Sequence, residues 1–225
     1  MPIRAHSAAI ARAFLPTPNS FDRYHYYYAR AKLATDPVYD GVLDALRGTQ
    51  QPLLDIGCGI GLLAHALHAD GQALAYAGMD VDARKIAAAH IGARNASLRD
   101  TRFAVADIAR EPPRHHGSVA ILDVLQYLSE PGQRHLLHLC AREWLAEGGR
   151  LVIRSGLRED NARSRVTRVA DRLARVVGWM QAQPQHFPSR EWFAEQFQAL
   201  ELRFDMQPLR GNTPFNNWLI VARPR

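Results

Sequence analysis

Three glycines at alternate positions, Gly57, Gly59 and Gly61, constrain this chain more than any other feature. They follow the apolar run Pro52-Leu-Leu-Asp-Ile56 and precede Leu62, Leu63, Ala64, Ala66 and Leu67, whose spacing is helical. A strand that enters a helix through such a turn lets bare backbone approach a ligand at the helix N-terminus. Many nucleotide folds use a glycine turn, so the residues downstream decide what kind of site it is.

From Pro52 onward strand-like and helix-like stretches alternate. The runs Leu53–Ile56, Leu74–Met79, Arg102–Val105, Val119–Leu122 and Arg150–Ile153 predict strands, with helices over about 62–69, 82–95 and 131–146 between them. This rhythm predicts a parallel sheet covered by helices on both faces, which binds ligands at the carboxyl ends of its strands. Asp55, Asp80, Asp107 and Asp123 all fall at or just beyond such ends. Ser189 opens another helix, and Glu201–Met206 and Trp218–Ala222 predict two closing strands joined by a hairpin-like loop.

The segments Leu-Leu-Asp-Ile-Gly-Cys-Gly-Ile-Gly61, Gly-Met-Asp80, Val-Ala-Asp107-Ile108, Ile-Leu-Asp-Val-Leu-Gln-Tyr127 and Leu-Ala-Glu-Gly-Gly-Arg-Leu-Val-Ile153 together resemble the class I S-adenosylmethionine-dependent methyltransferases over roughly residues 50–155. The resemblance implies an α/β fold: a Rossmann-like, doubly wound seven-stranded sheet, mostly parallel with an antiparallel last strand. It also implies a helical N-terminal lid over 1–48 on a methyltransferase domain over 49–225, with a helical cap inserted at about 157–199 before the last two strands. The implied cofactor is S-adenosylmethionine, which leaves as S-adenosylhomocysteine. Gly57, Cys58, Gly59 and Gly61 would hold its methionine part, and Asp55 would support the loop and the cationic amino group. Asp80, followed by Val81, would accept from both ribose hydroxyls, as a carboxylate's two oxygens can. Asp107 would face the adenine amino group, the Ile108 amide a ring nitrogen, and Asp123 the methyl-transfer site. An NAD-type site is the closest competitor, but its fingerprint needs glycine at position 62, which is leucine. Taken singly, Asp107 also reads as a loop or helix cap, and Asp123 as a partner of local backbone.

An activated sulfonium needs little from the protein beyond alignment, and a base only where the nucleophile loses a proton. Candidates near the reacting atoms are Asp123, Tyr127, His25 and, as an orienting group, Gln126. His186 is a further candidate base. His115-His116 reads as a surface pair, and no ligand set suggests a metal. Phe21-Asp-Arg-Tyr-His-Tyr-Tyr-Tyr28 holds four tyrosines, and on a helix Tyr24 and Tyr28 share a face with Lys32 one turn further. Tyr28 and Lys32 are assigned to the cofactor; Tyr24, Tyr27, Arg154, His186 and Asn216 to the acceptor. The plain alternative is an amphipathic helix that buries its tyrosines on the sheet. Asp36-Pro37 starts the next helix, with the acid as cap. The tyrosine-rich stretch and Gly211-Asn-Thr-Pro-Phe-Asn-Asn-Trp218 further resemble small bacterial methyltransferases of aryl-polyene, pigment or polyketide-like pathways. That resemblance implies a small hydrophobic or aromatic acceptor, free or carried by an acidic acyl carrier protein.

The 225 residues hold 28 basic and 22 acidic side chains, and only Lys32 and Lys85 are lysines, which leaves 26 arginines. A pI near 9.7 is compatible with nucleic acid or acidic partners. An RNA or protein methyltransferase is therefore one rival reading, and a cofactor-binding scaffold without catalysis another. Against RNA, Asp123-Val-Leu-Gln126 stands where a base-methylating Asn-Pro-Pro-Tyr motif would follow, and no nucleic-acid module is appended. Six arginines against three acids mark residues 158–177 as a basic amphipathic helix, either a solvated face or a dock for the carrier protein. Cys58 and Cys140 have no metal or disulfide spacing, which favours a reducing cytoplasm, and no segment is long enough to span a membrane. The first 21 residues carry Arg4 and Arg12 and no acid, faintly like an organelle transit peptide, and read as a surface helix or frayed terminus.

Overall fold

The computed structural model describes residues 2–15, 23–108, 110–158, 186–209 and 216–225. Nearly all of the basic stretch 158–177, most of the 157–199 insertion and most of the last loop lie outside them. The chain opens with a 3-10 turn (Ile3–His6), helix α1 (Ser7–Ala11) and a second 3-10 turn (Arg12–Phe14), followed by α2 (Tyr24–Thr35) and α3 (Val38–Leu46). Then come β1 (Leu53–Ile56), α4 (Leu62–Ala69), β2 (Tyr76–Asp80), α5 (Ala83–Asn95), β3 (Thr101–Val105) and β4 (Ser118–Leu122). Helix α6 (Glu130–Leu139), β5 (Leu151–Gly156), α7 (Arg190–Ala199), β6 (Leu202–Pro208) and β7 (Asn217–Pro224) complete the described elements.

Seven strands form one sheet in the order β3-β2-β1-β4-β5-β7-β6. The first five run parallel, and β7 is antiparallel to both neighbours, β5 and β6. This is the Rossmann-like arrangement that the motifs imply. The central strands are apolar on both faces because both faces are covered. Leu53, Ala120, Val152 and Leu219 pack under the N-terminal helices, α4 and α5. Their chain neighbours Leu54, Ile121, Ile153 and Ile220 pack towards α6 and α7, as the two-residue period of a strand requires. The edge strands β3 and β6 carry charge instead, with Arg102, Arg203 and Asp205 exposed.

Two expectations are refined. The predicted helix over 131–146 is α-helical only to Leu139 and finishes as a π-helical turn, Cys140–Trp144, which buries Trp144. The N-terminus over its described part is an ordered run of surface turns and helix, with Arg4, Ala8, Ala9 and Arg12 exposed on one side and an apolar face packed on the domain. Ile3, Ile10, Ala11, Ala13 and Phe14 are buried. The Phe14 ring rests against the His65 ring, 4.9 Å between centroids. It also lies so close to α5 that a Cβ at Gly92 would come within 2.5 Å of it. Arg12 interrupts the apolar run in sequence but not in space, because the tight turns keep it on the outer side.

Candidate functional site

The strand order reverses between β1 and β4, so the chain leaves their carboxyl ends in opposite directions and opens a crevice there. The glycine turn forms one wall. Gly57, Gly59 and Gly61 all have left-handed backbones, with φ of +71°, +58° and +78°. Two of them are also required by packing: a Cβ would meet Val124 Cγ2 at 2.3 Å from Gly57, and the Phe103 ring at 2.7 Å from Gly61. Gly59 differs, since a Cβ there would meet no protein atom within 4 Å. Its open side is the approach that the turn leaves for a ligand. The N–H groups of Gly57 and Cys58 both donate to the Met79 carbonyl, at 2.7 and 3.0 Å, which ties the turn to β2.

Asp80 ends β2 and reinforces that tie. Its Oδ2 accepts from the Gly59 N–H at 3.0 Å and its Oδ1 from the Asp82 N–H at 2.9 Å. One further lone pair on each oxygen suits a pair of hydroxyls. Val81, next along the chain, is 69% exposed, and Asp82 caps α5 by accepting from the Arg84 N–H. Asp107 lies beyond β3; its carbonyl accepts from the Arg110 and Glu111 N–H groups, and its carboxylate is 3.4 Å from Arg110 Nε. Ile108 packs on the core beneath α6 and α7.

Asp55 sits under the turn, 2% exposed, and its Oδ2 accepts from the Tyr76 hydroxyl. Burial raises its pKa to about 7, the Tyr76 hydrogen bond opposing and the Asp80 charge adding to the rise. Its Oδ1 has no partner among the described residues. An unanswered acceptor at the base of the turn, an open Gly59 and spare capacity on Asp80 fit a cationic amino acid joined to a ribose, as in S-adenosylmethionine.

The other wall is ionic. Asp123 follows β4 with φ +62°, a left-handed backbone uncommon outside glycine that aspartate adopts more readily than most side chains. Arg154 on β5 constrains it twice: the Arg154 carbonyl accepts from the Asp123 N–H at 3.1 Å, and Arg154 Nε lies 2.8 Å from Asp123 Oδ1. The latter is an ion pair whose angle falls outside hydrogen-bond geometry. Arg154 Nη1 also donates to Asp36 Oδ2, which in turn is 2.6 Å from Lys32 Nζ. Lys32 Nζ stands 3.9 Å from Asp123 Oδ2 and closes the quartet. Burial pushes the Asp36 pKa up, but Arg154 and Lys32 outweigh it and hold the group at about 2. Burial and Arg154 push Lys32 down, yet Asp123, Asp36 and Tyr28 leave it above its ordinary value.

Helix α2 delivers Lys32 together with the tyrosines. The Tyr24 and Tyr28 rings stack at 6.2 Å with 11° between planes, as their spacing predicts. Burial raises the Tyr28 pKa despite Lys32. His25 sets its ring against Tyr24, and Tyr27 is exposed with its ring edge-on to Tyr26. Gln126 is buried beside Asp123 and donates to the Asp123 carbonyl at 3.0 Å, while its own carbonyl accepts from the His186 N–H. Tyr127 is half-buried in the same 3-10 turn, Leu125–Tyr127. The His186 ring is 3.6 Å from Glu130, and Asn216 is buried, donating to the Leu157 carbonyl.

The structure therefore joins Tyr28, Lys32, Asp123 and Arg154 into one cluster, with Gln126 adjoining it through the Asp123 carbonyl and His186 through the Gln126 main-chain carbonyl. Arg154, assigned to the acceptor from sequence, is placed as a buried partner of two carboxylates. Three participants went unassigned. Tyr76 partners Asp55, Val124 closes on Gly57, and Asp36 is more than a helix cap. Only Asp36 left a signal, its four-residue spacing from Lys32. A cavity of about 620 Å³ lies apart from this crevice, between the N-terminal turns and the ends of α4 and α5, lined in part by His6, Arg12, His65, His68 and Asn95. Another of about 290 Å³ adjoins His186, Glu130 and Trp192. Among the described residues no His, Cys, Asp or Glu cluster could hold a metal, and no helix is long and apolar enough to cross a membrane.

Residues 53–149 match the methyltransferase domain family. The ubiquinone biosynthesis O-methyltransferases of Nitrosomonas europaea and Paracidovorax citrulli are 24% and 28% identical to this chain over 109 and 111 residues, each 48% of it. The chain spans about half the length of these curated relatives, 46% and 45%. Among solved structures, the magnesium protoporphyrin IX methyltransferase of Synechocystis with bound S-adenosylhomocysteine superposes with a TM-score of 0.65 at 15% identity, over 98% of this chain and 92% of that one.

Proposed function

We propose that this chain, whose residues 53–149 match the methyltransferase domain family, is a class I S-adenosylmethionine-dependent methyltransferase that transfers the cofactor's methyl group to an oxygen of a small hydrophobic, aromatic acceptor. The observation that carries the cofactor half is the open, left-handed Gly59 facing its tie to Asp80. The two relatives named as O-methyltransferases support oxygen as the accepting atom. The stacked Tyr24 and Tyr28 support an aromatic one, because flat rings offer faces for a flat acceptor.

Bound S-adenosylmethionine supplies an activated methyl on a cationic sulfur, so the protein's task is alignment and exclusion of water. Gly57 to Gly61 and Asp55 hold the methionine end, and Asp80 the ribose. Val81, Asp107 and Ile108 border the adenine. Residues 1–48 act as a lid that brings Tyr24, Tyr27 and Tyr28 over the acceptor. An acceptor hydroxyl loses its proton as it is methylated; His25 on the lid or His186 beside Gln126 takes it. Asp123, committed to Arg154 and Lys32, orients rather than deprotonates. The acceptor belongs to pigment-like or polyketide-like aromatic chemistry. The six arginines of 158–177 would suit an acidic carrier protein that delivers it, a role that rests on sequence charge alone.

The test is a transfer assay with methyl-labelled cofactor against free phenols, the same phenols on an acyl carrier protein, and bulk RNA, alongside calorimetry with S-adenosylhomocysteine. Label on a phenolic oxygen is expected. Label on RNA or protein alone would overturn the acceptor, and absence of S-adenosylhomocysteine binding would overturn the cofactor.

A further inference from the structure

Among the four charges of the ionic wall, Asp36 is one of the two buried ones, and its Oδ2 contacts join it to both cations of the wall. It lies between α2 and α3, and its Oδ1 accepts from the Val38 N–H at 3.0 Å, which starts α3. Its Oδ2 is shared by Lys32, one turn back on α2, and Arg154, 118 residues away on β5. One side chain thus joins both lid helices to the sheet. Burial is graded along the quartet: the side chains of Arg154 and Asp36 are 7% and 9% exposed, those of Lys32 and Asp123 27% and 35%. The buried pair is the fixed base, and the half-exposed pair faces the crevice.

We infer that Asp36 is a positioning residue that sets Lys32 directly, and Asp123 through Arg154, against the methionine end of the cofactor. This deepens the cofactor assignment above and rests on it. Without the Asp36 charge, the two cations would have only Asp123 between them, and each would draw that carboxylate away from its place. The Asp123 backbone stays anchored by the Arg154 carbonyl, so the displacement falls on its side chain.

Asp36→Asn keeps the size and the oxygen that caps Val38 while removing the charge. The experiment is a double-mutant cycle of Asp36→Asn and Asp123→Asn on the full chain, read by S-adenosylhomocysteine affinity and by Tm. Asp36→Asn should weaken binding ~10-fold or more, and adding Asp123→Asn should weaken it less than ~3-fold further, because the two act through one network. Additive losses, or a lowered Tm with unchanged affinity, would overturn the inference and leave Asp36 a structural cap. A wild-type chain that does not bind S-adenosylhomocysteine would instead overturn the cofactor assignment. Should Asp36→Asn fail to fold, Asp36→Glu keeps the charge but moves it by one methylene. A folded Asp36→Glu with wild-type affinity overturns the inference, and one weakened ~3-fold or more at similar Tm supports it.

Discussion

Two buried aspartates, one in each wall of the crevice, sit on opposite sides of the ordinary carboxylate range. Asp36, its side chain 9% exposed, is held at about 2, whereas Asp55, 2% exposed, is raised to about 7. Burial opposes ionisation in both, so burial cannot explain the difference. Asp36 has two cations within ion-pair distance; Asp55 has a neutral hydroxyl and, in Asp80, a like charge. The ionic wall is therefore electrostatically complete as it stands. The glycine wall instead holds a buried carboxyl with no cation beside it among the described residues.

Of the losses expected at neutral pH, the largest strikes the complete wall. Arg154→Leu should lower the unfolding free energy by about 3 kcal/mol, the low end for a broken buried pair because Lys32 still faces Asp36. A urea titration at neutral pH that finds less than about 1 kcal/mol would show the quartet to be no more than a surface-like array. Next, Asp80→Ala should cost the glycine wall ~1.5–3 kcal/mol of S-adenosylhomocysteine affinity, roughly 10- to 100-fold, through a lost charge-assisted hydrogen bond. Unchanged affinity by calorimetry would remove Asp80 from the ribose.

A pH series sharpens the contrast itself. The native Asp55 pKa of about 7 lies above the unfolded value near 3.9. Between the two the native state holds the extra proton, so stability falls as pH rises from about 4 to 7 and stays reduced above it. Asp55→Asn should abolish that fall, leaving the variant on the order of 4 kcal/mol better off relative to wild type at pH 8 than at pH 4. Parallel melting profiles of the two proteins across this range would mean that Asp55 is not protonated at rest. Asp36, whose native value lies below its unfolded one, has the opposite sign: its contribution is present above about 4 and is lost as pH falls towards 2.

The glycine wall was legible in the sequence because its parts are close along the chain. Strand, turn and helix repeat with their own periods, and the acids mark strand ends. Tyr24, Tyr28 and Lys32 fell on one face for the same local reason. The buried face of the described N-terminal turns was not legible, because it depends on Gly92, which makes room for Phe14 from 78 residues away. Arg154 and Asp36 looked like an acceptor contact and a helix cap, since nothing local reveals that one will bury its charge against the other.

By itself, then, the sequence determined the order of the elements, the seven-stranded α/β sheet and the glycine turn with its acids, because backbone propensity and side-chain period act over a few residues. The tertiary structure alone decided which charges neutralise one another. It paired Arg154 with Asp36 and Asp123 and left Asp55, among the described residues, with only the Tyr76 hydroxyl. Ion pairing depends on distance in space, and here the partners are brought together only when the sheet has folded and the N-terminal helices have packed across its end.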